Sequence, residues 1–230
     1  MTSRTSRVPG AEAVAIPTGR GRLEGMLHVP AGAAGVVLFA HGSGSGRFSP
    51  RNQFVAGALQ QGGLATLLLD LLDEAEAQDR TKVFDIELLA ERLQCAAHWL
   101  SRHPTSQSLR LGYFGASTGA GAALVAAARE PAAVGAVVSR GGRPDLAWDW
   151  LPDVQAPTLL VVGGADEGVI ELNEQALRRL QCPKELVIVP GATHLFPEPG
   201  ALEEVAHLAL AWFTRYLTPA RLAASERNEP

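Results

Sequence analysis

Two rhythms of apolar residues alternate along this chain. An unbroken apolar run at residues 35–40 reads as a strand covered on both faces, since a solvated sheet face would show polar residues at alternate positions, and the largely apolar runs at 65–70, 109–114, 134–139, 157–162 and 185–190 read as further strands. Between these runs the apolar positions recur at helical spacing. Residues 84–102 carry Leu88, Leu89, Leu93, Ala96, Ala97 and Leu100 on one face. Helices are also predicted at 50–61, 120–128, 169–180 and 201–216, with a short one at 146–151. The helix at 50–61 has Ser49 to cap it, Pro50 at its first position and Gly62-Gly63 to end it. Two leading strands, 13–16 (ended by Pro17) and 23–29, are expected to pair antiparallel at one edge.

About eight strands with interleaved helices imply an α/β fold, a mostly parallel sheet wrapped by helices on both faces. One domain is expected over 11–220, with flexible ends at 1–10 and 221–230. No interdomain linker or internal repeat interrupts the pattern.

Composition narrows the function. The 230 residues are 47% hydrophobic and 19% charged, enough to build a core without metal or disulfide support. A net charge of −4 gives no basic field to attract nucleic acid or an anionic membrane. The two cysteines, Cys95 and Cys182, form neither a disulfide framework nor a metal-ligand spacing. The first ten residues lack the apolar stretch of a signal peptide, and no apolar run is long enough to span a bilayer, so a cytoplasmic location is expected.

The candidate chemistry begins at Gly115-Ala116-Ser117-Thr118-Gly119, between an apolar strand and an alanine-rich helix. A sharp strand-to-helix turn forces the serine backbone into an unfavourable region and brings strand and helix close, so small residues are needed two before and two after it. Such a turn presents the hydroxyl above the sheet edge. A bare Gly-x-Ser-x-Gly pattern also suits a simple packing turn, so its surroundings decide.

Reactive groups of such sheets collect at the carboxyl ends of strands. Asp166 follows the strand at 157–162 and His194 follows the strand at 185–190, in the chain order serine, acid, histidine. A neutral hydroxyl is a poor nucleophile; it needs an imidazole to take its proton and a carboxylate to fix the imidazole tautomer. Asp166 alone fits equally a turn aspartate capping the next helix, and Glu167 is a competing acid expected to face solvent. His28, His98 and His207 lie on predicted strands or helices and His103 follows one, all away from these ends.

The loop after the strand at 35–40 reads His41-Gly42-Ser43-Gly44-Ser45-Gly46-Arg47, and its glycines permit close backbone approach to a substrate. The N–H groups of Ser43 and Thr118 are the expected oxyanion donors. A phosphate-binding loop is the rival reading, but no Gly-Lys-Ser/Thr ending is present. His41 is expected to support this loop.

On these motifs, together with Ser49-Pro50-Arg51-Asn52 and Ser139-Arg140-Gly141-Gly142-Arg143-Pro144, the chain resembles the dienelactone hydrolase group of the α/β-hydrolase superfamily, from about residue 23 to 216. The resemblance implies an α/β-hydrolase fold with Ser117 as nucleophile, Asp166 as acid and His194 as base. One departure stands out: dienelactone hydrolases proper carry cysteine at the elbow, and this chain has serine. A thiolate suits an activated lactone, whereas a serine activated by histidine suits ordinary esters. The expected activity is hydrolysis of small, soluble carboxylic esters through an acyl-enzyme. Thioester hydrolysis, acyl transfer and lactone hydrolysis on the same three residues are alternatives, as is a non-catalytic binding protein.

Gly44, Arg47, Arg140, Arg143 and Trp148 are candidate substrate contacts. Arg140 and Arg143 follow a strand end and suit a carboxylate, although Arg143 can equally pair with Asp145 or Asp149. Trp148 and Trp150 are expected to be buried. No metal or organic cofactor is expected. The expected partner is a small-molecule ester, not nucleic acid or membrane, and a homodimer is left open.

Overall fold

The computed structural model describes residues 10–19 and 21–218; of the flexible ends expected at 1–10 and 221–230, all but Gly10 lie outside them. In chain order the elements are β1 (Glu12–Thr18), β2 (Gly21–His28), β3 (Val36–Ala40), α1 (Pro50–Gln61), β4 (Ala65–Leu69), α2 (Arg80–Val83), α3 (Ile86–Leu100), β5 (Leu111–Ala116), α4 (Thr118–Arg129), β6 (Val134–Arg140), β7 (Thr158–Gly163), α5 (Glu167–Arg179), β8 (Lys184–Val189) and α6 (Ala201–Leu217). Eight strands form one sheet in the order β1-β2-β4-β3-β5-β6-β7-β8. Pairings of β1 with β2 and of β2 with β4 are antiparallel, and all the others are parallel.

β3, β4, β5 and β7 are buried at every position, as their continuous apolar runs require. On one face α3, α4 and α5 cover a core that includes Leu38, Leu67, Tyr113, Val137 and Leu160. On the other, α1 and α6 cover Val37, Phe39, Phe114 and Val138, and Phe213 of α6 joins that core. β8 closes one edge and is largely open to solvent.

Local chemistry sets the element boundaries. Ser49 caps α1 by accepting the Asn52 N–H, and Pro50 opens the helix. α3 is shorter than the apolar spacing predicts because the Asp85 side chain caps it, accepting the Leu88 N–H at 3.0 Å. β1 continues through Pro17, which sits opposite Arg22. The expected stop fails because β1 is an edge strand, where a residue without an N–H leaves no partner unbonded. Residues 146–151, expected as one short helix, instead run from the end of one 3-10 turn, Pro144–Ala147, to the start of another, Leu151–Asp153, each with a proline in its first turn. No helix among the described residues is long and apolar enough to cross a membrane.

Candidate active site

At the carboxyl end of β5 the chain reverses into α4 through Ser117, whose φ of 50° and ψ of −123° place a non-glycine residue in a strained region. The flanking glycines make that turn possible. A Cβ on Gly115 would come within 2.8 Å of the Ala120 nitrogen, and one on Gly119 would overlap the Ala40 carbonyl oxygen at the end of β3. The turn is held by the Ser117 N–H donating to the Arg140 carbonyl at 3.3 Å and by the Ser117 carbonyl accepting from Ala120 and Arg143. Ser117 itself is half-buried at the start of α4.

Asp166 stands just before α5 without capping it by its side chain. Its Oδ2 instead lies 2.7 Å from His194 Nδ1. Facing a carboxylate, Nδ1 carries the ring proton, which leaves the Nε2 lone pair free to accept one. The loops bearing these residues interlock: a Cβ on Gly163 would meet the Ala192 carbonyl carbon at 2.8 Å, and the Ala165 N–H donates to the Ala192 carbonyl at 2.9 Å. The His194 ring packs against Gly141, which has a φ of +50° and follows the residue that receives the Ser117 N–H. Asp166 and His194 therefore meet directly, while Ser117 stands at the end of β5, which β6 separates from β7. No hydrogen bond joins Ser117 Oγ to His194 Nε2 among the described residues; such bonds commonly tighten only with substrate bound. Glu167, the competing acid, is exposed.

The loop after β3 lies across the elbow. Its Ser43 N–H donates to Thr118 Oγ1 at 3.1 Å, so one expected oxyanion donor is occupied by the side chain of the residue that carries the other. The Thr118 N–H heads α4, where no intrahelical acceptor exists. His41 anchors the loop from below. Its Nε2 accepts the Leu71 N–H at 2.9 Å, which obliges Nδ1 to carry the proton and donate to the Gly42 carbonyl. Burial pushes the His41 imidazole below its ordinary pKa, against smaller opposing effects of the Gly42 carbonyl and the Asp70 carboxylate.

A cleft of about 980 Å³ opens beside this loop, lined by Ser43, Gly44, Arg51, Leu72, Val83 and Thr118 among others. It touches the site at Ser43 and Thr118, while Asp166 and His194 lie outside its lining. The rim between β4 and α3 carries no strong helical or strand period, and its contribution to the cleft is not evident from sequence. A signal was available in Asp85, a helix-capping residue that ends the segment.

The other candidate contacts fare differently. Gly44 lines the cleft in the left-handed region at φ +68°. Arg47 also lines it, but its guanidinium is committed to Asp70 and to Glu24, the latter at 2.7 Å. Arg143 is gripped by Asp145 through two bonds of 2.8 and 2.7 Å, which makes it a loop brace. Trp148, expected in the core, is 39% exposed with the Arg179 guanidinium 4.8 Å from its ring centroid. It borders a separate hollow with Pro152 and Gln175, because the 3-10 turn before it directs the ring outward. Trp150 is half-buried beside Arg129. Arg140 is buried.

Comparison with known proteins places these features in a family. The model of the dienelactone hydrolase family matches residues 55–218. The crystal structure of a dienelactone hydrolase from Anabaena variabilis is 60% identical, with a TM-score of 0.87 over 90% of this chain and 98% of that one. Est1E from Butyrivibrio proteoclasticus shares the fold at 16% identity, with a TM-score of 0.73 over 88% of this chain and 99% of its own. A Mycobacterium tuberculosis protein provisionally named a phosphoribosyl transferase is 56% identical over 206 residues, 90% of this chain and 46% of its own length. The chain thus spans about half the length of these curated relatives.

Proposed function

We propose that this chain, which belongs to the dienelactone hydrolase family, is a serine hydrolase that cleaves small carboxylic esters through an acyl-enzyme. The observation that carries the reading is the 2.7 Å contact of Asp166 with His194 Nδ1, beside a serine held in a strained elbow. With Nδ1–H directed at the carboxylate, Nε2 is the ring nitrogen able to take the Ser117 proton as Oγ attacks the ester carbonyl.

The negative charge then develops on the carbonyl oxygen above the start of α4. There the Thr118 N–H and the Ser43 N–H, once it exchanges Thr118 Oγ1 for the oxyanion, stabilise the tetrahedral species. His194 returns its proton to the leaving alcohol. Water attacks the acyl-enzyme by the same steps in reverse, so the reaction balances without a redox partner. The 980 Å³ cleft adjoining Ser43 is the expected seat of the acyl or alcohol group.

A second reading is lactone hydrolysis, which the name of the Anabaena variabilis relative favours. A lactone is an internal ester and uses the same three residues, so the two readings differ in substrate alone. Labelling with a fluorophosphonate probe, followed by peptide mapping, tests the common mechanism. The adduct is expected on Ser117, and Ser117→Ala is expected to lower turnover of p-nitrophenyl acetate by roughly a million-fold. An unlabelled wild-type protein, or an alanine variant of undiminished turnover, would refute the assignment.

A further inference from the structure

Two arginines at the carboxyl end of the sheet stand apart from the ion pairs described above. Arg140 ends β6 and is only 7% exposed, yet its Nε and Nη1 are buried without an acceptor. Arg51, in the first turn of α1, leaves its Nε in the same condition. No carboxylate lies within ion-pair distance of either guanidinium among the described residues, whereas Arg47, Arg92, Arg129 and Arg143 each have one.

The neighbours supply no compensating charge. The Phe196 ring centroid lies 5.8 Å from Arg140 Cζ, offering a π face only. Asn52, buried in the same turn as Arg51, has an Oδ1 without a donor; a neutral amide can take one N–H but cancels no charge. Burial, and after it the nearby Arg51 charge, push the Arg140 guanidinium down to about 10, still protonated at neutral pH. Two like charges in one region, one buried and the other partly buried, each with an open hydrogen-bond donor, are destabilising unless an opposite charge joins them.

We propose that Arg140 and Arg51 together hold an oxyanion, a carboxylate or phosphate group, at the carboxyl end of β6. A guanidinium presents parallel N–H donors whose spacing matches two oxygens of such a group, so it favours an oxyanion over a spherical halide. Arg51 also lines the large cleft, which gives the anion a route from solvent. The site adjoins the catalytic assembly on two sides: the Arg140 carbonyl receives the Ser117 N–H, and Phe196 belongs to the loop that carries His194. The proposal does not depend on the esterase reading, because binding can be measured without turnover.

The test is thermal unfolding of the full chain in sodium phosphate or sodium acetate, with sodium chloride at matched ionic strength as reference. Wild-type protein is expected to gain several degrees, saturating in the millimolar range, with either oxyanion. Arg140→Met is expected to abolish the gain, and Arg51→Gln to reduce it at least tenfold in apparent affinity. If Arg140→Met fails to fold, Arg51→Gln together with isothermal titration of wild type against phosphate still decides the matter. An equal shift in wild type and variants would mean general salt stabilisation, and no shift in wild type would mean no site; either result overturns the proposal.

A second arm identifies the source of the anion. p-Nitrophenyl acetate and mono-p-nitrophenyl succinate are compared with and without phosphate. A lower KM for the succinate ester, raised by phosphate, assigns the site to an anionic substrate. Unchanged KM values alongside the thermal gain assign it to a free anion.

Discussion

Asp166 spends its carboxylate on His194, at 2.7 Å from Nδ1, and not on the free N–H groups of the helix that it precedes. A capping aspartate would be replaceable by asparagine at little loss, because an amide oxygen also caps well. An aspartate that sets an imidazole tautomer is not replaceable in that way, since an asparagine amide can donate to Nδ1 and move the proton to Nε2. Asp166→Asn is therefore expected to lower kcat on p-nitrophenyl acetate by roughly ten-thousand-fold while leaving the melting temperature within a few degrees. A loss under tenfold would return Asp166 to the role of a turn residue.

Two glycine-to-alanine changes should have opposite signs. At Gly119 the added methyl would overlap the Ala40 carbonyl oxygen and come within 2.5 Å of the His41 oxygen, so the end of β3 or the elbow must shift. Overpacking of that kind destabilises by about 3 kcal/mol, and displacement of Ser117 should cost activity as well. Gly57 lies within α1 with nothing within 4 Å of the new methyl. There alanine should stabilise by about 0.5–1 kcal/mol through helix propensity and a restricted unfolded chain. Urea unfolding of both variants reads the two values directly.

His41 gives stability a defined pH dependence. Its folded-state pKa is depressed by burial, so between the ordinary value near 6.5 and the folded value the unfolded chain binds more protons. The contribution is complete above about pH 6.5 and is lost as pH falls, with a slope of at most about 1.4 kcal/mol per pH unit. Glu76, held down to about 2 chiefly by hydrogen bonds from Arg92, acts with the same sign but in a lower window, below the ordinary carboxylate range. Denaturant unfolding between pH 7.5 and 5.0 therefore reads the histidine window apart from that of Glu76. His41→Asn should flatten that segment of the profile; an unchanged slope would assign it to another group.

Strand runs and strand-end residues are visible in sequence because both depend on local information. A strand buried on two faces must be apolar throughout, as in β5, and a polar residue just after it stands out, as Asp166 does after β7. What pairs with those residues is less visible. That Arg47 is committed to Asp70 and Glu24 follows from β2 and β4 lying side by side, which brings together residues distant in the chain. The environment of Arg140 likewise depends on which face the last residue of β6 points to, and on where α1 begins above it. Trp148 and Pro17 mislead for a shared reason: burial and strand continuation at an element's end or edge depend on the neighbouring element, and composition carries no record of it.

The bond between Asp70 and Arg47 holds the loop that is expected to carry the oxyanion donor. Asp70 Oδ1 accepts the Arg47 N–H at 2.6 Å, its Oδ2 takes the guanidinium, and a Cβ on Gly46 would come within 2.7 Å of Oδ1. One carboxylate at the end of β4 thus fixes both backbone and side chain of the loop that begins at His41, while His41 binds the next residue along, Leu71. In Asp70→Asn the amide can still accept the Arg47 N–H, but the charge that holds the guanidinium is lost. Glu24, at 2.7 Å, then becomes the only carboxylate on Arg47, and its side chain is 53% exposed, so solvent weakens its hold. The loop should loosen without unfolding the domain. kcat/KM for p-nitrophenyl acetate is expected to fall by about tenfold, mainly through kcat, because the Ser43 N–H matters most when charge develops on the carbonyl oxygen. Fluorophosphonate labelling, which also proceeds through an oxyanion-stabilised step, should slow in parallel. A rise in KM at constant kcat would instead place Asp70 in ground-state binding at the cleft.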